Sequence, residues 1–156
     1  MTDPSAGERP ENGLSGDVAG HSQVVGRGAH ETEQPLNDRL TVPSLPASIA
    51  SVRRFAVAAC RESGLVGLCD TVALLVSEVA TNALVHGNGD VQVRVVAEQS
   101  VLRVEVSDES PRLPVPRAAG LLEEGGRGLA LVETLASDWG VRPEGLGKVV
   151  WFELTD

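Results

Sequence analysis

Val91–Asp108 reads VQVRVVAEQSVLRVEVSD, two runs in which apolar and polar side chains alternate, with only Gln99 and Ser100 between them. Period-two alternation puts one set of side chains on one face of a pleated strand. The short connection returns the second run antiparallel to the first. A chain with this hairpin builds a sheet with one greasy face, and other segments have to cover that face.

Two segments upstream can do so. In ASIASVRRFAVAACRESG, Ile49, Val52, Phe55 or Ala56 and Ala59 follow helical spacing, and Gly64 is a natural stop. A second helix is predicted from Asp70, a good N-cap, to His86, with Gly87 as its C′ residue. Before them LTVPSLP, broken by Pro43 and Pro46, predicts a short edge strand. Downstream, a proline-rich stretch leads through LLEEGGRG into a helix from about Gly128 to Ser137. WGVRP and GKVVWFEL then predict a closing hairpin whose Trp139 and Trp151 pack the sheet. The order is strand, two helices, two strands, helix, two strands. It predicts an α+β two-layer sandwich, a mostly antiparallel sheet with helices packed on one face.

Composition bounds what such a domain does. At 156 residues and 42% apolar content the chain can fill one core. Residues 1–36 carry six of the 17 glycines, six acids against two arginines, and no Phe, Trp or Ile. They are expected to form a disordered acidic tail ahead of a domain at 37–156. A net charge of −9 with 13 Lys and Arg argues against nucleic acid or acidic lipid as a partner, because both demand a basic patch. Cys60 and Cys69 form no CxxC pair and lie in no histidine cluster, so they are expected to be reduced, buried thiols. The N-terminus lacks a secretory pattern, and no apolar run is expected to approach the roughly 18 residues of a membrane span. The cytosol is the default address, with no membrane partner.

Three features carry chemistry. On the helix from Asp70, Val72, Val76, Val79, Ala80 and Ala83 form an apolar face, and Glu78, Asn82 and His86 share a neighbouring stripe. Leu74 and Val85 lie on the stripe's other side, so Glu78 and Asn82 are expected to line a cleft. A carboxylate at a cleft wall needs a donor, a water or a metal, and an amide oxygen one turn later suits a hard cation such as Mg²⁺. The plainer alternative is a solvated i, i+4 pair; His86 has one too, since a histidine in a last turn suits the helix dipole. Second, alternation places Asp108 on the inward face with Leu102, Val104 and Val106. An inward carboxylate needs a donor, which the exocyclic amine of a nucleobase would supply; capping of the turn DESP is the alternative. Third, GGRGLALVETL opens a helix directly from a glycine turn, where amides and the helix dipole can hold a phosphate. Arg127 either assists there or is solvated. Neither a P-loop nor a hydrolytic triad is present.

In that order the three features resemble the N, G1 and G2 boxes of the GHKL ATPase superfamily. VSEVATNALVHG, VSDESPRLP, GGRGLALVETLASDWGV and GKVVWFEL are most similar to the stand-alone RsbW-like anti-sigma-factor serine/threonine kinases. The resemblance covers roughly residues 38–155. It implies ATP and Mg²⁺ as cofactors, with Asn82 on the metal and Glu78 as the base that polarises the attacking hydroxyl or water. It further implies Asp108 on the adenine amine, and Gly126, Arg127, Gly128 and the amide of Leu129 on the phosphates. The implied activity is binding of a sigma factor and phosphorylation of a STAS-type anti-sigma-factor antagonist, in a chain that can form a homodimer. The sequence departs from the group's DxGxG pattern, because Glu109, Ser110, Pro111 and Arg112 follow Asp108 and stiffen the turn. That departure keeps open a second function, a regulatory module that binds nucleotide or a partner without catalysis.

Overall fold

The computed structural model describes residues 35–112 and 127–156. Strand β1 (Leu36–Val42) leads to helix α1 (Ser48–Glu62), a short 3-10 turn (Val66–Leu68) and helix α2 (Cys69–His86). The hairpin β2 (Val91–Glu98) and β3 (Val101–Asp108) follows, then helix α3 (Arg127–Leu135) and the hairpin β4 (Asp138–Glu144) and β5 (Gly147–Thr155).

The five strands form one sheet in the order β1-β2-β3-β5-β4, and each neighbouring pair is antiparallel. Parity explains why the helices lie on one side. Val91, Val93 and Val95 face inward from β2, Leu102, Val104 and Val106 from β3, and Val150, Phe152 and Leu154 from β5, all buried. From the helices Val52, Ala56 and Ala59 of α1 and Val72, Leu75, Val76, Val79 and Ala80 of α2 meet them, with Leu129 and Val132 of α3. Each fully buried Val or Leu contributes about 1.5–3 kcal/mol relative to an exposed one, so this layer is the main source of stability. The α+β sandwich predicted from the sequence is the fold observed.

Several boundaries differ from the sequence reading, each for a local reason. β1 begins at Leu36 and not near Leu40, because an edge strand is held by the backbone ladder to β2 and tolerates the polar run Asn37–Arg39. α2 starts at Cys69, so Asp70 is not its N-cap but an acid in the first turn, where the helix dipole favours it. The 3-10 turn has already set the chain direction. Val66–His86 also corrects the expected lack of a span-length apolar run: it is 21 residues long, and its most apolar 18 residues have a mean hydropathy of 1.5. Val72, Leu75, Val76, Val79 and Ala80 of this stretch belong to the core face just named, whereas Val66, Leu74 and Val85 are exposed.

Cys60 and Cys69 are free, buried thiols at the end of α1 and the start of α2. Cys69 donates to the Cys60 sulfur at 3.2 Å, and Cys60 donates to the Leu65 carbonyl at 3.1 Å. Burial first, then the neighbouring Cys69, pushes the Cys60 thiol up to about 12, so Cys60 is held as the unreactive thiol.

The other face of the sheet carries charge. Glu105, only 9% exposed, lies under Arg103 at 2.9 Å, Arg142 at 3.4 Å and Arg94 at 3.5 Å. Arg103 also pairs with Glu153 at 2.8 Å and lies 3.9 Å from the Trp151 ring centre. Burial alone would raise the Glu105 carboxyl, but the Arg103 hydrogen bond and the charges of Arg142, Arg103 and Arg94 outweigh it and hold the group below its ordinary value.

Candidate functional site

Glu78 and Asn82 are both half-buried on α2, and among the described residues no hydrogen bond or ion pair engages either side chain. They are one turn apart, on the side of α2 that meets the start of α3. Gly128, buried in the first turn of α3, lies directly on them. A Cβ at position 128 would stand 3.1 Å from Asn82 Nδ2 and 3.2 Å from both Cβ and Oε2 of Glu78. A larger residue there would have to push these side chains aside by a few tenths of an ångström, so the close approach of α3 to a carboxylate and a carboxamide favours glycine. The first amides of α3 have no intrahelical acceptor, and the positive end of the helix dipole lies with them.

The wall of this cleft differs from the expected one. Leu74 and Val85, placed by the sequence reading on the stripe's far border, are 41% and 67% exposed. A neighbouring helix, and not the apolar residues of α2 itself, shelters Glu78 and Asn82. His86 is exposed in the last turn of α2. Arg127 opens α3 and is exposed, and the Leu129 side chain is core. Gly126 lies outside the described residues.

Asp108 faces inward as its parity predicts, and its side chain is 2% exposed. Both sequence alternatives assumed that a ligand or a turn supplies its donor. The turn supplies one: the Ser110 amide donates to Oδ1 at 2.7 Å, and the Ser110 hydroxyl in turn accepts from the Arg112 amide at 3.3 Å. The stronger partner is one the sequence reading missed. Lys148 Nζ lies 2.9 Å from Oδ1 and 2.9 Å from Oδ2, with only 6% of its side chain exposed. The signal was available, since Lys148 shares the parity of Val150, Phe152 and Leu154 and so must point into the core. It became decisive only through the β3–β5 pairing, which sets Lys148 opposite Asp108.

Glycines close this end tightly. A Cβ on Gly87 would come within 2.9 Å of Asp108 Cβ and Cγ, and one on Gly147 would collide with the Asp108 carbonyl. The C-terminus of α2, the end of β3 and the start of β5 are therefore locked around one ion pair.

Two ends of a site are thus distinguishable. At the α2–α3 end, two polar side chains without partners among the described residues lie against the first turn of α3, and no group of three or more His, Cys, Asp or Glu side chains that could hold a metal occurs among the described residues. A cation there would take its remaining ligands from phosphate and water, as Mg²⁺ commonly does. This end fits a phosphate–metal ligand. At the β3–β5 end the carboxylate is already matched.

Residues 42–154 match the model of the histidine kinase-like ATPase domain family. A protein of Streptomyces coelicolor described as uncharacterized is 46% identical over 50 residues, 31% of this chain and 48% of that protein. The histidine kinase domain of a blue-light activated histidine kinase from Erythrobacter litoralis shares 28% identity at a TM-score of 0.47, over 73% of this chain and 61% of that one. The chain spans about half the length of the first relative and under two thirds of the second.

Proposed function

Because the chain belongs to the histidine kinase-like ATPase domain family, we propose that it binds ATP with Mg²⁺ and acts as an RsbW-like regulatory protein kinase. In this reading it holds a sigma factor and phosphorylates a serine or threonine of a STAS-type antagonist. The observation that carries the nucleotide reading is Gly128, in the first turn of α3, packed against Glu78 and Asn82, two polar side chains that no other described residue engages. The sequence similarity of the boxes supports the kinase and its partners.

The residues divide the work by chemistry. Mg²⁺-ATP supplies a transferable phosphoryl group and a metal that neutralises its charge. The Glu78 carboxylate accepts the proton of an attacking hydroxyl or water. The Asn82 amide oxygen is a hard ligand for the cation, and the amides of Gly128 and Leu129 donate to phosphate oxygens. Arg127, at the same helix start, adds positive charge. Positioning dominates such a reaction, which is why no covalent nucleophile of the protein is needed.

Calorimetric titration with Mg²⁺-ATP tests the first half, and transfer of labelled phosphate to candidate antagonists tests the second. Asn82→Ala should weaken Mg²⁺-ATP binding by about tenfold or more. Glu78→Ala should keep binding and lose transfer by roughly 10²–10⁴. No binding at millimolar nucleotide sinks the ATP reading, and transfer that survives Glu78→Ala removes Glu78 from the mechanism. The second reading, a regulatory module without catalysis, is favoured by the matched state of Asp108 and its stiffened turn; nucleotide binding without transfer to any antagonist would select it.

A further inference from the structure

Lys148 is buried at the end of the site where a nucleobase would be read. Its ammonium touches both oxygens of Asp108. With the Ser110 amide on Oδ1, three of the four lone pairs of the carboxylate have a donor. The fourth is sealed, because the Asp108 side chain is 2% exposed and Gly87 lies against its Cβ and Cγ. An incoming base amine therefore reaches Asp108 only by displacing Lys148. It would exchange an ion pair for a hydrogen bond from an uncharged donor to the same carboxylate, and so lose the attraction between two full charges in a buried setting. Lys148 can yield, since its head is a point charge on a flexible four-carbon stem and among the described residues its ammonium has no partner other than Asp108.

We propose that Lys148 is an internal competitor for the base-reading carboxylate: it occupies Asp108 in place of a nucleobase amine, and base binding requires this ion pair to open. The proposal rests on the ATP reading above. It makes the base end of the site conditional and leaves the phosphate end at Glu78, Asn82 and Gly128 unaffected. The apparent affinity is then the intrinsic affinity multiplied by the fraction of molecules in which the pair is open. Lys148 is in this sense a specificity-determining residue, since it taxes ligands that use the base and not those that use phosphate alone.

Calorimetry on the full chain tests this with two probes, Mg²⁺-ATP and Mg²⁺-tripolyphosphate, the second having no base. Lys148→Met keeps the stem and removes the charge. It should tighten Mg²⁺-ATP by about tenfold or more and leave tripolyphosphate within about twofold. In the Asp108→Asn background the same substitution should give no gain. Lys148→Arg, which keeps the cation and can engage both carboxylate oxygens, should weaken Mg²⁺-ATP severalfold with tripolyphosphate unchanged; it decides the question if Lys148→Met does not fold. Equal or weaker ATP binding by Lys148→Met, a gain that persists with Asp108→Asn, or wild-type ATP affinity in Lys148→Arg overturns the competitor role. Tripolyphosphate binding with ATP affinity indifferent to every variant removes the base contact while the phosphate site survives. No heat with either probe in any variant overturns the ATP reading together with the proposal.

Discussion

The two faces of the sheet solve the same problem in opposite ways. On the helix-covered face Asp108 is buried with a single lysine, and both side chains are at least 94% removed from water. On the open face Glu105 is nearly as buried, yet it is shared by three arginines whose own side chains remain 27–39% exposed. A closed pair in a low dielectric depends on its one partner, because losing either member strands a charge. A shared carboxylate under solvated guanidiniums loses little when one of them goes, because water and the other two remain. The covered face is therefore stiff and breakable, whereas the open face is redundant.

The largest expected effect breaks the covered pair. Lys148→Met alone should cost about 3 kcal/mol or more in urea unfolding, and combining it with Asp108→Asn should return much of that loss. A cost near zero for the single variant would erase the contrast between the faces. Next, Glu105→Gln should cost about 1–2 kcal/mol, since it leaves three partly solvated arginines without their shared acceptor. The sign of its pH dependence is fixed. The folded value of Glu105 is held below its ordinary 4.5, so its contribution is present above 4.5 and is lost as pH falls through the depressed folded value. Unfolding midpoints measured below pH 4.5 should thus fall more steeply for the wild type than for Glu105→Gln. Smallest of all, Arg103→Lys should cost about 0.5 kcal/mol, because lysine keeps the charge but loses the planar contact over Trp151. In 1 M salt the open-face effects should shrink and the Lys148 effect should persist.

These contrasts also explain what was legible in the sequence. Alternation in Val91–Asp108 specified the hairpin and the inward aim of Asp108 because parity along one strand is a local property. Helical spacing likewise put Glu78 and Asn82 on one stripe. Their shelter by Gly128 was not legible, since it depends on α3 packing against α2 about 50 residues earlier in the chain. The Asp108–Lys148 pair spans 40 residues and two strands whose pairing no local pattern encodes. β1 was read short because an edge strand hides its pattern behind polar side chains. Asp70 was read as a cap because propensity alone does not see the 3-10 turn before it. Gly126, the remaining glycine of the expected phosphate turn, lies outside the described residues.

The closing hairpin has an optical consequence. The chain has two tryptophans and no tyrosine, and antiparallel parity sends them to opposite faces: Trp139 pairs with Phe152 toward the core, and Trp151 stands under Arg103 on the open side. Replacing either one with phenylalanine leaves a single emitter that reports on one face alone. Quenching by iodide or acrylamide would then tell an experimenter, without any added label, whether a ligand shields the helix side of the sheet or a protein covers its bare side.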